Sequence, residues 1–281
     1  MKTILLPFHD EDAGRTALDA ATLVARRFGS YLEGLLVLEG PHLTFDRRMP
    51  MPAEYLEQMV GQWREFADSA RAHFLMITRE QGIAPGELES AGQGPVAGWR
   101  EVDGRESEVV AEHGRLFDLI VIGRTTADKH TRWQATCEAA LFESGRPVLL
   151  APAQPAKSIG DSVVVAWNGS TETARSVALA MPLLTVASRV IVLSVEGWMI
   201  SGPSSRDMTN HLLRNGVAAQ AETVPTSGRT AGEAILDKCR DIQADLLVKG
   251  AYTRSRLRQV IFGGATEHVM KHAAVPVLLA H

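Results

Sequence analysis

Gly263 and Gly264 stand directly before Ala265, Thr266 and Glu267, where a helical pattern continues through Val269 and Met270. A helix that starts behind two glycines offers unpaired backbone N–H groups and the positive end of its dipole with no side chain in the way. The Thr266 hydroxyl adds a further hydrogen bond, so the pattern suits an anion, and phosphate above all. Upstream, Leu246, Leu247 and Val248 form an apolar run leading to Lys249 and Gly250, which predicts a short strand buried on both faces. Between strand and helix lies a stretch with Tyr252, Thr253, Arg254, Arg256 and Arg258. The alternative reading of the same residues is a tight glycine turn with arginines facing solvent.

A strand ending in a ligand loop belongs to a sheet, and in open α/β sheets ligands sit beyond the carboxyl ends of the strands where the strand order reverses. The run from Ser162 to Val165 leads into Ala166, Trp167, Asn168 and Gly169, and a second run ends at Val195. These are the other candidate contacts. Asn168 offers both an acceptor oxygen and an NH₂ donor. Trp167 either stacks on a base or fills the sheet. Tyr252 either covers phosphates or packs on the helix. Lys249 pairs with phosphate or with a carboxylate such as Asp245 or Asp161.

These elements recur. Thr3 to Phe8 leads into His9 and Asp10 as Ser162 to Trp167 leads into Asn168. Helical patterns follow at Ala17 to Phe28 and Ala174 to Leu184, then strands at Gly34 to Glu39 and Val190 to Glu196. Asp118-Leu-Ile-Val-Ile-Gly123 matches Asp245-Leu-Leu-Val-Lys-Gly250, and Pro147 to Ala151 matches Pro276 to Ala280. Strands alternating with helical stretches predict parallel sheets built from right-handed crossovers. A proline-rich linker, Ala151 to Lys157, places the boundary near residue 155, giving domains 1–154 and 155–281. The first half carries a helical insertion at about 51–82. Its stripe of Leu56, Met59, Trp63, Phe66, Ala70, His73 and Ile77 either packs on its own sheet or projects around Trp63 and Phe66 to meet a second chain.

The residues from Gly250 resemble the nucleotide-binding signature of the universal stress protein family: a glycine, two residues, a second glycine, nine residues, then glycine and serine or threonine. Gly250 and Gly263 match; Thr253 replaces the second glycine, and Gly264 stands at the hydroxyl place with Thr266 two positions on. An aspartate is usual where Asn168 stands, at the adenosine end of the nucleotide. The resemblance spans nearly the whole chain in tandem form. It implies two doubly wound α/β domains of the adenine nucleotide alpha hydrolase-like kind, each an open five-stranded parallel sheet with helices on both faces. Their closing strands would meet to make a pseudo-dimer within one chain. It also implies a stress-response module with an ATP site in the second domain, with or without Mg²⁺. The site residues would be Ala166, Trp167, Asn168, Val195, Lys249, Gly250, Tyr252, Thr253, Gly263, Gly264, Ala265 and Thr266. In the first half the matching places hold Thr125, Thr126, Thr136 and Cys137, so that site reads as degenerate, with side chains crowding the helix start.

The remaining classes are narrowed by composition and spacing. The chain has 281 residues, 45% hydrophobic and 22% charged, and a formal net charge of −4, which gives no basic footprint for nucleic acid. Its N-terminal apolar run is too short for a signal peptide or a membrane span, and two widely separated cysteines suit a cytoplasmic location. The P-loop pattern and the nucleophile elbow are missing. His9, Asp10 and Asp12 form a polar cluster that specifies no metal geometry. No general base accompanies the loop, so at most slow ATP hydrolysis is expected. A nucleotide-free interaction protein, meeting a partner protein or a second copy, is the alternative.

Overall fold

The computed structural model describes residues 1–9, 12–39, 53–88, 94–124, 132–251 and 264–281. They form two compact units, one running to Ser144 and the other covering Gly145–His281.

The first unit contains β1 (Thr3–Pro7), α1 (Asp12–Phe28), β2 (Tyr31–Leu38), α2 (Ala53–Glu80), β3 (Ala84–Pro85), β4 (Val96–Asp103), α3 (Glu106–Gly114), β5 (Leu119–Gly123) and α4 (Arg132–Glu143). Its strands lie in the order β3-β4-β2-β1-β5, all parallel where paired. The second unit contains β6 (Val148–Ala151), β7 (Ser162–Ala166), α5 (Thr171–Leu184), β8 (Arg189–Val195), α6 (Ser205–Arg214), β9 (Ala219–Val224), α7 (Ala231–Asp241), β10 (Leu246–Gly250), α8 (Ala265–His272) and β11 (Val277–Ala280). Its strands run β6-β11-β10-β7-β8-β9. The five native to the second half are parallel, and β6 joins β11 antiparallel, with Leu149 opposite Leu278. The closing strands of the two halves therefore meet. This pairing carries β6 into the second unit, and the compact division falls ahead of residue 155.

Apolar runs make the central strands because both of their faces are covered. Ile4 to Pro7, Leu119 to Ile122, Val163 to Ala166 and Leu246 to Gly250 are buried without alternation, the pattern of a parallel sheet between helical layers. Each unit closes the entrance of this sheet in the same way. The Asp118 carboxylate accepts the Lys2 and Thr3 N–H groups, and the Asp245 carboxylate accepts those of Gly160, Asp161 and Ser162. The aspartates ahead of β5 and β10 thus anchor the starts of β1 and β7.

The two strand-ending glycines also share a role. A Cβ on Gly123 would lie 2.0 Å from the Ala13 carbonyl oxygen, and one on Gly250 would lie 2.5 Å from the Thr173 nitrogen. In each unit the first helix closes its opening turn directly on the end of the fourth strand, and only glycine leaves room.

The long helix forms where its periodicity predicts, but with a different inner face. Ala70 is buried as expected, while Ala67, Phe74 and Thr78 are buried one position beyond the expected Phe66, His73 and Ile77; the side chain of Leu56 lies outside the described residues. An aromatic cluster sets the rotation: Phe74 packs on Phe8 and Trp99 with ring centroids 5.5 and 5.3 Å away. Gly34 clears space for both rings, since a Cβ there would come within 2.8 Å of each. Phe66 and Val60 remain about half exposed, at 49% and 53%.

Candidate functional site

β10 and β7 are neighbours in the second sheet, with Lys249 in register with Ala166. This brings the turn after β7, the end of β10 and the start of α8 to one edge. The switch point of the strand order lies here, because the chain leaves β7 for β8 on one side and returns to β10 on the other.

Lys249 is the central side chain. Its residue is 2% exposed, and its Nζ donates to the Gly250 carbonyl at 2.9 Å and to Thr266 Oγ1 at 2.6 Å. The ring of Trp198, in the turn after β8, lies 5.6 Å from Nζ, within cation–π reach. Asp245 and Asp161 do not pair with it. They sit at the opposite end of the strands, where Asp245 holds the entrance of β7. Burial lowers the Lys249 pKa from 10.5 to about 7, since among the described residues no anion compensates the loss of water around the ammonium.

Thr266 occupies the first turn of α8, preceded by Gly264 with φ 81° and ψ −153°. That conformation is open to glycine and strained for other residues. Among the described residues no side-chain hydrogen bond caps this helix, and a Cβ on Gly264 would meet none of their atoms within 4 Å. The start of α8 therefore presents backbone donors with a lysine ammonium behind them and Thr266 between. Ala265 follows in the helix and is half-buried. Gly263, Tyr252 and Thr253, together with Arg254, Arg256 and Arg258, lie outside the described residues.

The turn after β7 is committed to the fold. Asn168 Oδ1 accepts the Ser170 N–H at 3.1 Å and the Thr173 hydroxyl at 2.8 Å. The Ser170 hydroxyl in turn caps α5 by accepting the Thr173 N–H. The Asn168 carbonyl accepts from the Ile200 N–H. Trp167 is 1% exposed and donates its Nε1 to the Pro203 carbonyl, so it fills the core and offers no stacking face. Ala166 and Val195 are also fully buried. The tryptophan at the site edge is Trp198, which no spacing pattern singled out. Ser176 was missed as well; its hydroxyl donates to the Lys249 carbonyl and accepts the Ala280 N–H, tying α5 to the ends of β10 and β11.

The first unit holds different chemistry at the same edge. Thr136 and Cys137 do not crowd a helix start: α4 begins at Arg132, so both sit inside it and are buried. Thr136 donates to one carboxylate oxygen of Glu106 at 2.7 Å, and His9 Nε2 meets the other at 2.5 Å. The expected grouping of His9 with Asp12 is replaced by this pair, because Asp12 opens α1; Asp10 lies outside the described residues. Among the described residues no three potential ligands are gathered as a metal centre. A cavity of about 500 Å³ between α7 and α8, lined in part by Glu233, Asp237, His268 and His272, lies apart from Lys249. Its carboxylates are engaged by Thr230 and Arg229.

Comparisons with known proteins add the following. A model of the Universal stress protein family matches residues 161–281. No curated protein sequence matches the chain. Among solved structures, a universal stress protein from Archaeoglobus fulgidus DSM 4304 superposes with a TM-score of 0.74 at 18% identity, covering 99% of this chain and 95% of that one. A protein of unknown function from Pseudomonas aeruginosa PAO1 gives 0.56 at 16% identity over 100% and 92%. A putative universal stress protein from Pseudomonas aeruginosa UCBPP-PA14 gives 0.54 at 16% identity over 100% and 93%. At these identities the likeness is one of fold, and it extends over both halves.

Proposed function

With residues 161–281 forming a universal stress protein domain, we propose that this chain is a cytoplasmic stress-response binding module. Its second domain holds the phosphates of an adenine nucleotide at the start of α8 and performs little or no catalysis. The observation that carries the reading is the buried Lys249 ammonium hydrogen-bonded to Thr266 in the uncapped first turn of α8. An oxyanion placed there receives backbone N–H groups, the Thr266 hydroxyl and a nearby positive charge together. Phosphoryl oxygens fit that donor set better than a carboxylate does, because they supply more acceptors and more charge.

The nucleoside end is less well provided. Asn168 has spent its acceptor oxygen on α5, and Trp167 is sealed. This favours a site that grips phosphates and discriminates weakly among bases. The same commitment supports a second reading, in which the chain is a nucleotide-free interaction protein and the half-exposed Val60 and Phe66 of α2 meet a partner protein or a second copy.

Mass spectrometry of small molecules released from the purified chain separates the two readings. ATP, ADP or AMP is expected, with a thermal shift on adding ATP, because a ligand of the native state stabilises it by mass action. No release and no shift at millimolar nucleotide would leave the interaction reading standing alone.

A further inference from the structure

The cavity between α7 and α8 gathers titratable side chains that the Lys249 edge does not use. His268 and His272 stand one turn apart on α8, so both project from the same face of the helix. Both line the cavity, and their rings lie 4.6 Å apart between centroids, tilted by 43°. The run His268-Val-Met-Lys-His272 has the spacing with which a helix offers two imidazoles to one metal ion. Two metal–nitrogen bonds of about 2.0–2.1 Å set their nitrogens roughly 3 Å apart, a spacing that these rings reach by turning about their Cβ–Cγ bonds.

The facing wall is fixed by backbone packing. A Cβ on Gly232 of α7 would lie 2.9 Å from the His268 Cβ and 3.2 Å from the Ala265 Cα, so the two helices touch at this glycine. Glu233, the next residue, also lines the cavity. Its Oε2 accepts from the Thr230 N–H and hydroxyl. These bonds hold its carboxyl below the ordinary range and His268 adds to the shift, which sets the Glu233 charge beside that ring. Asp237 is committed to Arg229 and Arg240. Burial pushes the Cys239 thiol up to about 12, so it stays protonated and presents no thiolate. Among the described residues no third ligand completes the pair.

We propose that His268 and His272 form a bidentate site for a divalent transition ion, Zn²⁺ or Cu²⁺, whose remaining positions are filled by water. Imidazole selects these ions over Mg²⁺ and Ca²⁺, which take oxygen shells. The Glu233 carboxylate supplies a negative charge and an acceptor for a metal-bound water, an outer-shell contact of the kind that steadies bound ions. Val269 stands where the zinc hydrolase motif on a helix carries its glutamate, so no general base accompanies the ion from that position. Its effect is to brace the last turn of α8.

The test is calorimetric titration of the untagged full chain with Zn²⁺, together with electron paramagnetic resonance of the Cu²⁺ form. One equivalent is expected to bind ahead of any weaker sites, with copper coupled to two nitrogens. Zn²⁺ should also raise the melting temperature, because the unfolded chain does not hold the two rings together. His268→Gln and His272→Gln should each weaken that equivalent by about tenfold or more, since the remaining imidazole loses its intramolecular partner; His211→Gln, on α6, should leave it unchanged. His268 is partly exposed and His272 exposed, so both variants should fold, and the nitrogen count from wild-type protein decides where one does not. Copper coupled to a single nitrogen, Zn²⁺ affinity that survives either substitution, or no binding of either ion at up to about 1 mM would overturn the proposal.

Discussion

Replacing Lys249 by methionine should change how the stability of the protein depends on pH. In the folded chain burial lowers the pKa of the ammonium to about 7, against 10.5 for an ordinary lysine. Between these values the unfolded chain holds a proton that the folded chain has released, so stability rises with pH across that window. Below about pH 7 the full penalty applies, on the order of 5 kcal/mol from about 1.4 kcal/mol per pH unit. From about pH 6 to about pH 9 the wild type should recover roughly 2–3 kcal/mol of it.

Methionine carries no charge to bury. It forfeits the hydrogen bonds to the Gly250 carbonyl and Thr266 Oγ1, about 1 kcal/mol each. At about pH 6 the variant should therefore be the more stable protein by a few kcal/mol, with the advantage shrinking as the pH rises. Melting followed by circular dichroism at both pH values gives the readout. At about 2–4 °C per kcal/mol, the difference in Tm between variant and wild type should fall by roughly 5–10 °C from about pH 6 to about pH 9. Taking the difference cancels the histidines and other groups common to both proteins. A difference that does not change with pH would refute the assignment of Lys249 as a buried, uncompensated cation.

Substitutions at three further positions probe the same edge. Asn168→Ala should cost about 1–3 kcal/mol in urea unfolding, because the buried Ser170 N–H and Thr173 hydroxyl lose their acceptor, whereas Asn168→Asp keeps both acceptors beside the α5 N-terminus and should stay within about 1 kcal/mol of wild type; equal losses would show that the cap is not what matters. Gly264→Ala should cost about 1–3 kcal/mol through backbone strain at φ 81°, although its Cβ has open space, and an unchanged melting temperature would refute that strain. Gly250→Ala should be more damaging than Gly264→Ala, because its Cβ meets the Thr173 nitrogen at 2.5 Å and α5 must shift; the reverse order in a denaturation series would contradict the packing.

The sheet was legible because burial on both faces leaves an unmistakable trace: runs such as Val163 to Val165 and Leu246 to Val248 tolerate no polar interruption. Boundaries blurred where polar residues belong to elements. The turn residues Thr171, Glu172 and Thr173 open α5 behind a Ser170 cap, although apolar periodicity begins only at Ala174. Ala70 of α2 faces inward as its periodicity predicts, but the rest of the face turns by one position because small residues such as Ala67 carry little periodic weight, whereas the packing of Phe74 against Phe8 and Trp99 fixes the rotation. Trp198 escaped notice for a related reason. It lies in a turn with no period, and only the return of β10 beside β7 brings Lys249 beneath it.

The repeat separates what holds the fold from what differs in chemistry. Asp118 and Asp245 perform the same entrance clamp, and Gly123 and Gly250 make the same room for the first helix. Gly250 is therefore required by packing whether or not a nucleotide binds, and its agreement with a binding signature is weak testimony for the ligand. The informative positions are those at which the units diverge. One edge bonds His9 and Thr136 to the buried Glu106. The other places an uncompensated lysine behind an uncapped helix. An anion completes the second arrangement, whereas the first already holds a carboxylate of its own. The asymmetry in charge, more than the glycine spacing, is the physical reason to look for phosphate in the second unit alone.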